Sequence, residues 1–206
     1  NWMTAGRGIT HSERFEEARR SGGHMDGIQA WVALPVEDEE SDPAFAHHDA
    51  TELPVIESPG ARMRLIAGSA WDVTAPVTTH SPMAYAHCTL EAGARLTIPV
   101  EYPERAIYVA SGVVEIDHQR FEAGRMIVLS PRVVAGITAL SPAVLMLLAG
   151  EPVGERFIEW NFVSSSRERI QQAKADWAAG RMKLPDLDRE EWIPLPPEPA
   201  PPNPMS

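Results

Sequence analysis

The chain has 206 residues, 44 % of them hydrophobic, and a formal net charge of −11. The length fits one large domain or two small ones, and the apolar fraction is ordinary for a globular protein. The charge argues against nucleic acid as a direct partner, since phosphate binding needs clustered Lys and Arg, and leaves a protein partner open. The single cysteine, Cys88, rules out an intrachain disulfide framework and fits a reducing, cytoplasmic compartment. No apolar run is long enough to span a bilayer, so no membrane attachment is expected.

The first element in chain order carries His11-Ser12-Glu13. Read as a strand, the two side chains share a face, because side chains alternate with period two. Imidazole and carboxylate are both good ligands for a divalent transition metal. Two ligands rarely make a tight site, so partners are needed. The chain starts at Asn1 without a Met, inside this expected strand, and so reads as a fragment.

Gly27 to Pro35 alternates apolar and polar residues and is stopped by proline, which predicts a second strand. Asp38 to Asp42 is an acidic loop, and Met63 to Gly68 a further short strand. A dense block follows: Tyr85–Leu90, Ala94–Pro99, Arg105–Ala110, Val113–Asp117, Met126–Leu129, Ala135–Ala139 and Val144–Ala149. Turn signals punctuate it at Gly93, Gly112, Gly124 and Ser141-Pro142. Such regular short strands predict an all-β sandwich or barrel. Cys88 lies in an alternating run and reads as a buried structural thiol.

Arg167 to Ala179 reads as a helix, with Ser165 and Glu168 as a capping box and Gly180 as its stop. Ile170, Ala173 and Trp177 fall on one face. Residues 194–206 are Pro-rich and read as a solvated, disordered tail.

The β-rich block contains Gly93-x5-Pro99-x-Glu101-x3-Arg105-x6-Gly112. This resembles the first cupin motif, Gly-x5-His-x-His-x3/4-Glu-x6-Gly, with its glycines kept and its ligands replaced by Pro99, Glu101 and Arg105. Glu104 fits the shorter spacing, but two glutamates alone are a poor site. Gly6-x-Gly8-x2-His11 resembles the second motif, Pro-x-Gly-x2-His. The chain therefore reads as the later part of one cupin domain followed by a complete, ligand-free second one.

Several stretches together resemble the pirin family: Met3 to Glu13, Gly27 to Pro35, Pro43 to His48, Ala149 to Pro152 and Trp160 to Ser166. The resemblance covers the chain in order to about Pro196 and looks closest to bacterial pirin-like proteins. It implies an all-β fold of two cupin (jelly-roll-like) β-barrels, the first incomplete, plus a C-terminal helix. The expected division is residues 1–54 from the metal-binding cupin, 55–150 as the metal-free cupin, 151–193 as an extension with the helix at 167–179, and 194–206 as tail.

The resemblance also implies one non-haem iron, Fe(2+), held by three His and one Glu. His11 takes the place of the third histidine and Glu13 that of the carboxylate, while the first two histidines have no counterpart. His24, His80, His87 and His118 form no His-x-His pair. His47 and His48 are adjacent, so a strand would point them to opposite faces; they read as surface or loop residues. The expected activity is that of a quercetin 2,3-dioxygenase, taking a flavonol and O2, with Glu13 as general base or as ligand alone. The alternative is a non-catalytic, redox- or metal-sensitive regulator acting through a protein partner. A third reading is that this fragment, short of two ligands, binds iron weakly and is inert.

Overall fold

A computed structural model describes residues 1–24 and 26–197. Of the expected Pro-rich tail, residues 198–206 lie outside the described residues. Two compact units emerge, and neither follows a single stretch of sequence. The first joins Asn1–Met3 with Phe45–Val153. The second joins Thr4–Ala44 with the described residues from Gly154 onward.

The first unit is an antiparallel β-sandwich. Its larger sheet has seven strands. Six run in the order Met126–Leu129, Glu104–Ser111, Ala143–Gly150, Met83–Leu90, Ala61–Ala70 and Val55–Ser58, and Val73–Thr74 pairs with Ala61–Ala70. The smaller sheet runs Gln119–Glu122, Val113–Ile116, Ala135–Ala139 and Arg95–Ile98. Alternation explains why these segments form strands. Along Arg95–Ile98 exposed and buried residues strictly alternate, so one face enters the core and the other meets solvent. Leu65, Ile107, Leu145 and Leu147 from one sheet meet Ile98, Val114 and Ile137 from the other in a single core, each at most 1 % exposed. Burying such side chains contributes about 1.5–3 kcal/mol each.

Every strand expected in the dense block is present, Met126–Leu129 and Ala135–Ala139 with the expected bounds and the others shifted by one or two residues at their ends. Gln119–Glu122 was not expected. It pairs with Val113–Ile116 across the two-residue turn Asp117-His118. Both turn residues have positive φ, 49° and 61°, as this hairpin geometry requires. Asp tolerates that conformation well, but Asp-His is a weaker turn signal than Asp-Gly. His118 is thus an exposed turn residue.

The second unit holds the helix Arg167–Ala178 and the hairpin Phe157–Glu159 with Phe162–Ser164, against which it packs. The helix is capped one residue later than expected. Ser166, not Ser165, is the N-cap, accepting from the Arg169 N–H at 3.2 Å and donating to Glu168 at 2.9 Å. Ser165 is engaged elsewhere, by Glu39. Trp177 joins an aromatic cluster, 5.8 Å from Trp160 and 5.5 Å from Trp192 between ring centroids. Its indole N–H donates to the Ile193 carbonyl at 2.9 Å.

The expected strand at Gly27–Pro35 is absent. This stretch has no regular structure, and Ile28, Trp31 and Val32 are 50 %, 53 % and 43 % exposed. Alternation alone makes no strand without a neighbour to receive its hydrogen bonds.

Gly112 links Glu104–Ser111 to Val113–Ile116 at φ +82°. A Cβ there would lie 2.2 Å from the Pro142 carbonyl oxygen. Gly112→Ala should therefore lower stability by at least about 2 kcal/mol. Urea unfolding checks this; a loss within experimental error would mean that the turn relaxes freely.

Candidate metal centre

The segment bearing His11 and Glu13 begins in a short strand, Trp2–Thr4, paired with Ala44–Ala46. The pairing stops at a turn in which the Gly8 N–H donates to the Ala5 carbonyl at 2.9 Å. Gly6 makes that turn possible. It sits at φ +50°, and a Cβ would lie 2.1 Å from the Ser41 carbonyl oxygen. Beyond it, residues 9–15 have no regular structure. His11 and Glu13 are therefore not on a strand, contrary to the sequence expectation. Among the described residues no neighbouring strand reaches them to continue the ladder.

Both side chains are exposed, and neither is engaged by a hydrogen bond or ion pair among the described residues. As a donor set, a free imidazole and a free carboxylate two residues apart fit a divalent transition metal. Two donors are half of the four that the family resemblance implies. Among the described residues no group of three or more His, Cys, Asp or Glu could hold a metal ion.

The residues between and around the two donors are held from one side. The Arg14 guanidinium grips Asp188 through two hydrogen bonds, both 2.7 Å, and reaches Glu191 at 2.7 Å. The Thr10 hydroxyl donates to the Lys183 carbonyl. Arg14, and then the Ser12 hydroxyl, hold the Asp188 carboxyl below its ordinary range. Nothing in the sequence pairs these groups, which lie more than 170 residues apart.

The second unit has one further hub. Glu39 is 13 % exposed and lies 2.6 Å from Arg156, itself 6 % exposed. Its carboxylate accepts from the Ser165 N–H at 3.0 Å and from the Ser165 and Ser164 hydroxyls at 2.9 and 3.1 Å. Arg156 also donates to the Leu34 carbonyl at 2.8 Å. Glu39 was legible only as part of an acidic loop.

The other histidines are dispersed. His47 Nδ1 lies 2.8 Å from Asn1 Oδ1, and His48 lies 3.5 Å from Glu52, both just past the strand Ala44–Ala46. His24 is exposed beside Asp26. His87 is half-buried on the larger sheet, directly across from Arg64 on one neighbour and Met146 on the other. Burial, then Arg64 and Arg62, lower its pKa. Cys88 is 1 % exposed, and burial pushes its thiol up to about 12. It is a core residue and not a nucleophile at neutral pH.

In the sandwich, the positions of the replaced cupin ligands diverge. Glu101 and Glu104 are exposed, while Arg105 is 2 % exposed. Its guanidinium donates to the carbonyls of Pro99 at 3.0 Å, Ser130 at 2.6 Å and Val133 at 2.8 Å. Two former ligand positions, Pro99 and Arg105, thus bind each other.

An antiparallel two-sheet sandwich with glycines at both ends of the motif, and a separate His-x-Glu segment after a Gly-x-Gly turn, define a cupin protein of the two-domain type. The sandwich is whole in the described residues. Residues 1–32 match the pirin family model, and residues 85–183 match the model of the pirin C-terminal cupin domain. The chain belongs to the pirin family.

It is 58 % identical over 197 residues to a pirin-like protein of Caulobacter vibrioides, covering 95 % of this chain and 68 % of that protein. It is 33 % identical over 188 residues to a protein of Pseudomonas aeruginosa named as a putative quercetin 2,3-dioxygenase, covering 87 % of this chain and 65 % of the relative. A solved structure of quercetin 2,3-dioxygenase from Acinetobacter baumannii superposes with a TM-score of 0.72 at 25 % identity, over 82 % of this chain and 58 % of that one. The chain thus spans about two thirds of the length of the relatives it matches. Among the described residues no helix is long and apolar enough to cross a membrane.

Two outcomes follow from the buried hubs. Arg105→Ala removes the donor from three carbonyls and should cost about 3 kcal/mol or more, read by urea unfolding; a loss below about 1 kcal/mol would show that water replaces it. For Glu39, burial alone would raise the pKa, but the Ser165 N–H and hydroxyl, the Ser164 hydroxyl and Arg156 outweigh it and hold it below the ordinary 4.5. A depressed carboxyl stabilises the folded state above its unfolded pKa and loses that contribution as pH falls through its folded pKa. The stability gap between the native chain and Glu39→Gln should be constant above about pH 5 and shrink below the ordinary carboxyl pKa. A gap that grows on acidification would contradict this sign.

Proposed function

We propose that the protein is an Fe(2+)-dependent pirin-type oxygenase that opens a flavonol ring with O2, with His11 and Glu13 as two of the iron's ligands. The observation that carries this reading is the pair itself. It is free of competing bonds and lies inside the stretch matched by the pirin model. The relationship to proteins named as quercetin 2,3-dioxygenases supports the substrate class. Because the chain spans about two thirds of those relatives' length, the activity is proposed for the whole protein. The free thiol of Cys88 suits a cytoplasmic setting.

Iron, when bound, would supply Lewis acidity toward the flavonol oxygen and engage O2. His11 would offer a ring nitrogen to the ion as one of its ligands. Glu13 supplies a carboxylate oxygen and takes the proton of the flavonol 3-hydroxyl as general base. The flavonol and O2 become a depside and carbon monoxide, with both oxygen atoms retained in the products. Among the described residues no third donor joins this pair, and the 206-residue chain should bind iron weakly.

Two exposed apolar residues on one strand of the larger sheet, Met126 at 54 % and Val128 at 78 %, favour a second reading, a regulator that docks a protein. The whole protein, loaded with iron and incubated with quercetin, distinguishes the two. Oxygen uptake matched by carbon monoxide release, falling by about 100-fold or more in Glu13→Ala, is expected for the enzyme. Neither product from a stoichiometrically loaded protein would remove the enzymatic reading and leave the regulator.

A further inference from the structure

The contacts around the His-x-Glu pair follow a parity. Thr10, Ser12 and Arg14 bind the C-terminal segment, through Lys183, Asp188 and Glu191. His11 and Glu13, the odd-numbered residues between them, bind nothing among the described residues. The engaged side chains thus flank the two unengaged ones along residues 10–14, so a hold on the former fixes the backbone that carries the latter.

The holding segment is itself fixed at both ends to the helix Arg167–Ala178. At its start Arg181 Nε donates to Asp176 at 2.7 Å. At its end the Trp177 indole donates to the Ile193 carbonyl and packs on Trp192. Between them, Asp186 pairs with Lys183 and Arg189, and the Asp188 N–H donates to the Pro185 carbonyl at 3.2 Å. Asp188 is only 17 % exposed although its partner Arg14 is 38 % exposed. A bidentate, fork-shaped pair of this kind fixes direction as well as distance, unlike the usual single-contact surface ion pair.

We propose that residues 183–191 form a strap that positions His11 and Glu13 by gripping Thr10, Ser12 and Arg14, with Asp188 as the principal positioning residue. The inference rests on the proposed ligand role of His11 and Glu13. It adds that the geometry of these ligands is set from the far end of the chain. Asp188 touches neither metal nor substrate. It acts through Arg14 and Ser12, as groups behind metal ligands commonly do.

The test uses the full chain with labelled histidine, titrated with Ni(II) alone as an air-stable divalent probe, reading the broadening of the His11 ring signals. Asp188→Ala should raise the Ni(II) concentration needed by about tenfold. It should also speed amide exchange over residues 9–14 while the sandwich strands exchange as before. The reciprocal pair Arg14→Asp with Asp188→Arg should restore most of both, which no merely local loss of stability would allow. Unchanged Ni(II) response in Asp188→Ala would overturn the strap, even if exchange rises. Glu13→Ala separates the two levels. If it leaves the His11 response unchanged, His11 and Glu13 share no ion, and the ligand assignment falls together with the strap. If it weakens the response while Asp188→Ala does not, the ligands stand and only the strap falls.

Discussion

The carboxylate of Glu39 ties together two stretches that are 125 residues apart in sequence. Ser164, Ser165 and Arg156 converge on it from the C-terminal side, while Arg156 reaches the Leu34 carbonyl of Glu39's own stretch. A carboxylate this little exposed is costly unless it is paired and hydrogen-bonded, and Glu39 is both. That closure brings Thr4–Ala44 and the residues after Gly154 into one unit. The contacts of Thr10 and Arg14 with Lys183, Asp188 and Glu191 join the same two stretches a second time.

The sandwich solves a different problem with a similar device. A cupin strand pair needs something at the motif positions that would face a metal. Arg105 provides a fixed positive charge in contact with three carbonyl dipoles, including that of Pro99. A guanidinium is not a metal ligand, and at this position it is fully engaged with backbone carbonyls.

The sandwich was legible in the sequence because strand alternation, glycine spacing and turns are local signals. Arg95–Ile98 and Ala135–Ala139 could be read almost residue by residue. The strand Gln119–Glu122 escaped because its turn, Asp117-His118, lacks glycine. The reading of Gly27–Pro35 as a strand went wrong because alternation records a preference, and only a neighbouring strand fulfils it. In the candidate site, spacing and the Gly-x-Gly lead-in singled out His11 and Glu13, but the strand expected to carry them is absent. Glu39, Asp188 and Glu191 were not legible. Their partners lie 117 (Glu39 to Arg156) to 177 (Arg14 to Glu191) residues away, and no periodicity connects an acidic loop or tail to an arginine so distant. The capping serine was displaced for the same reason: Ser165 looked free along the chain, but Glu39 had claimed it.

Cupin scaffolding, a closed second unit and a gripped donor pair converge on one question, whether His11 and Glu13 bind the same ion. The most direct measurement is anomalous diffraction at the iron edge from crystals of the iron-loaded protein. A single peak within coordination distance of both a His11 ring nitrogen and a Glu13 carboxylate oxygen is the predicted result. A well-occupied peak that touches neither residue would contradict the assignment.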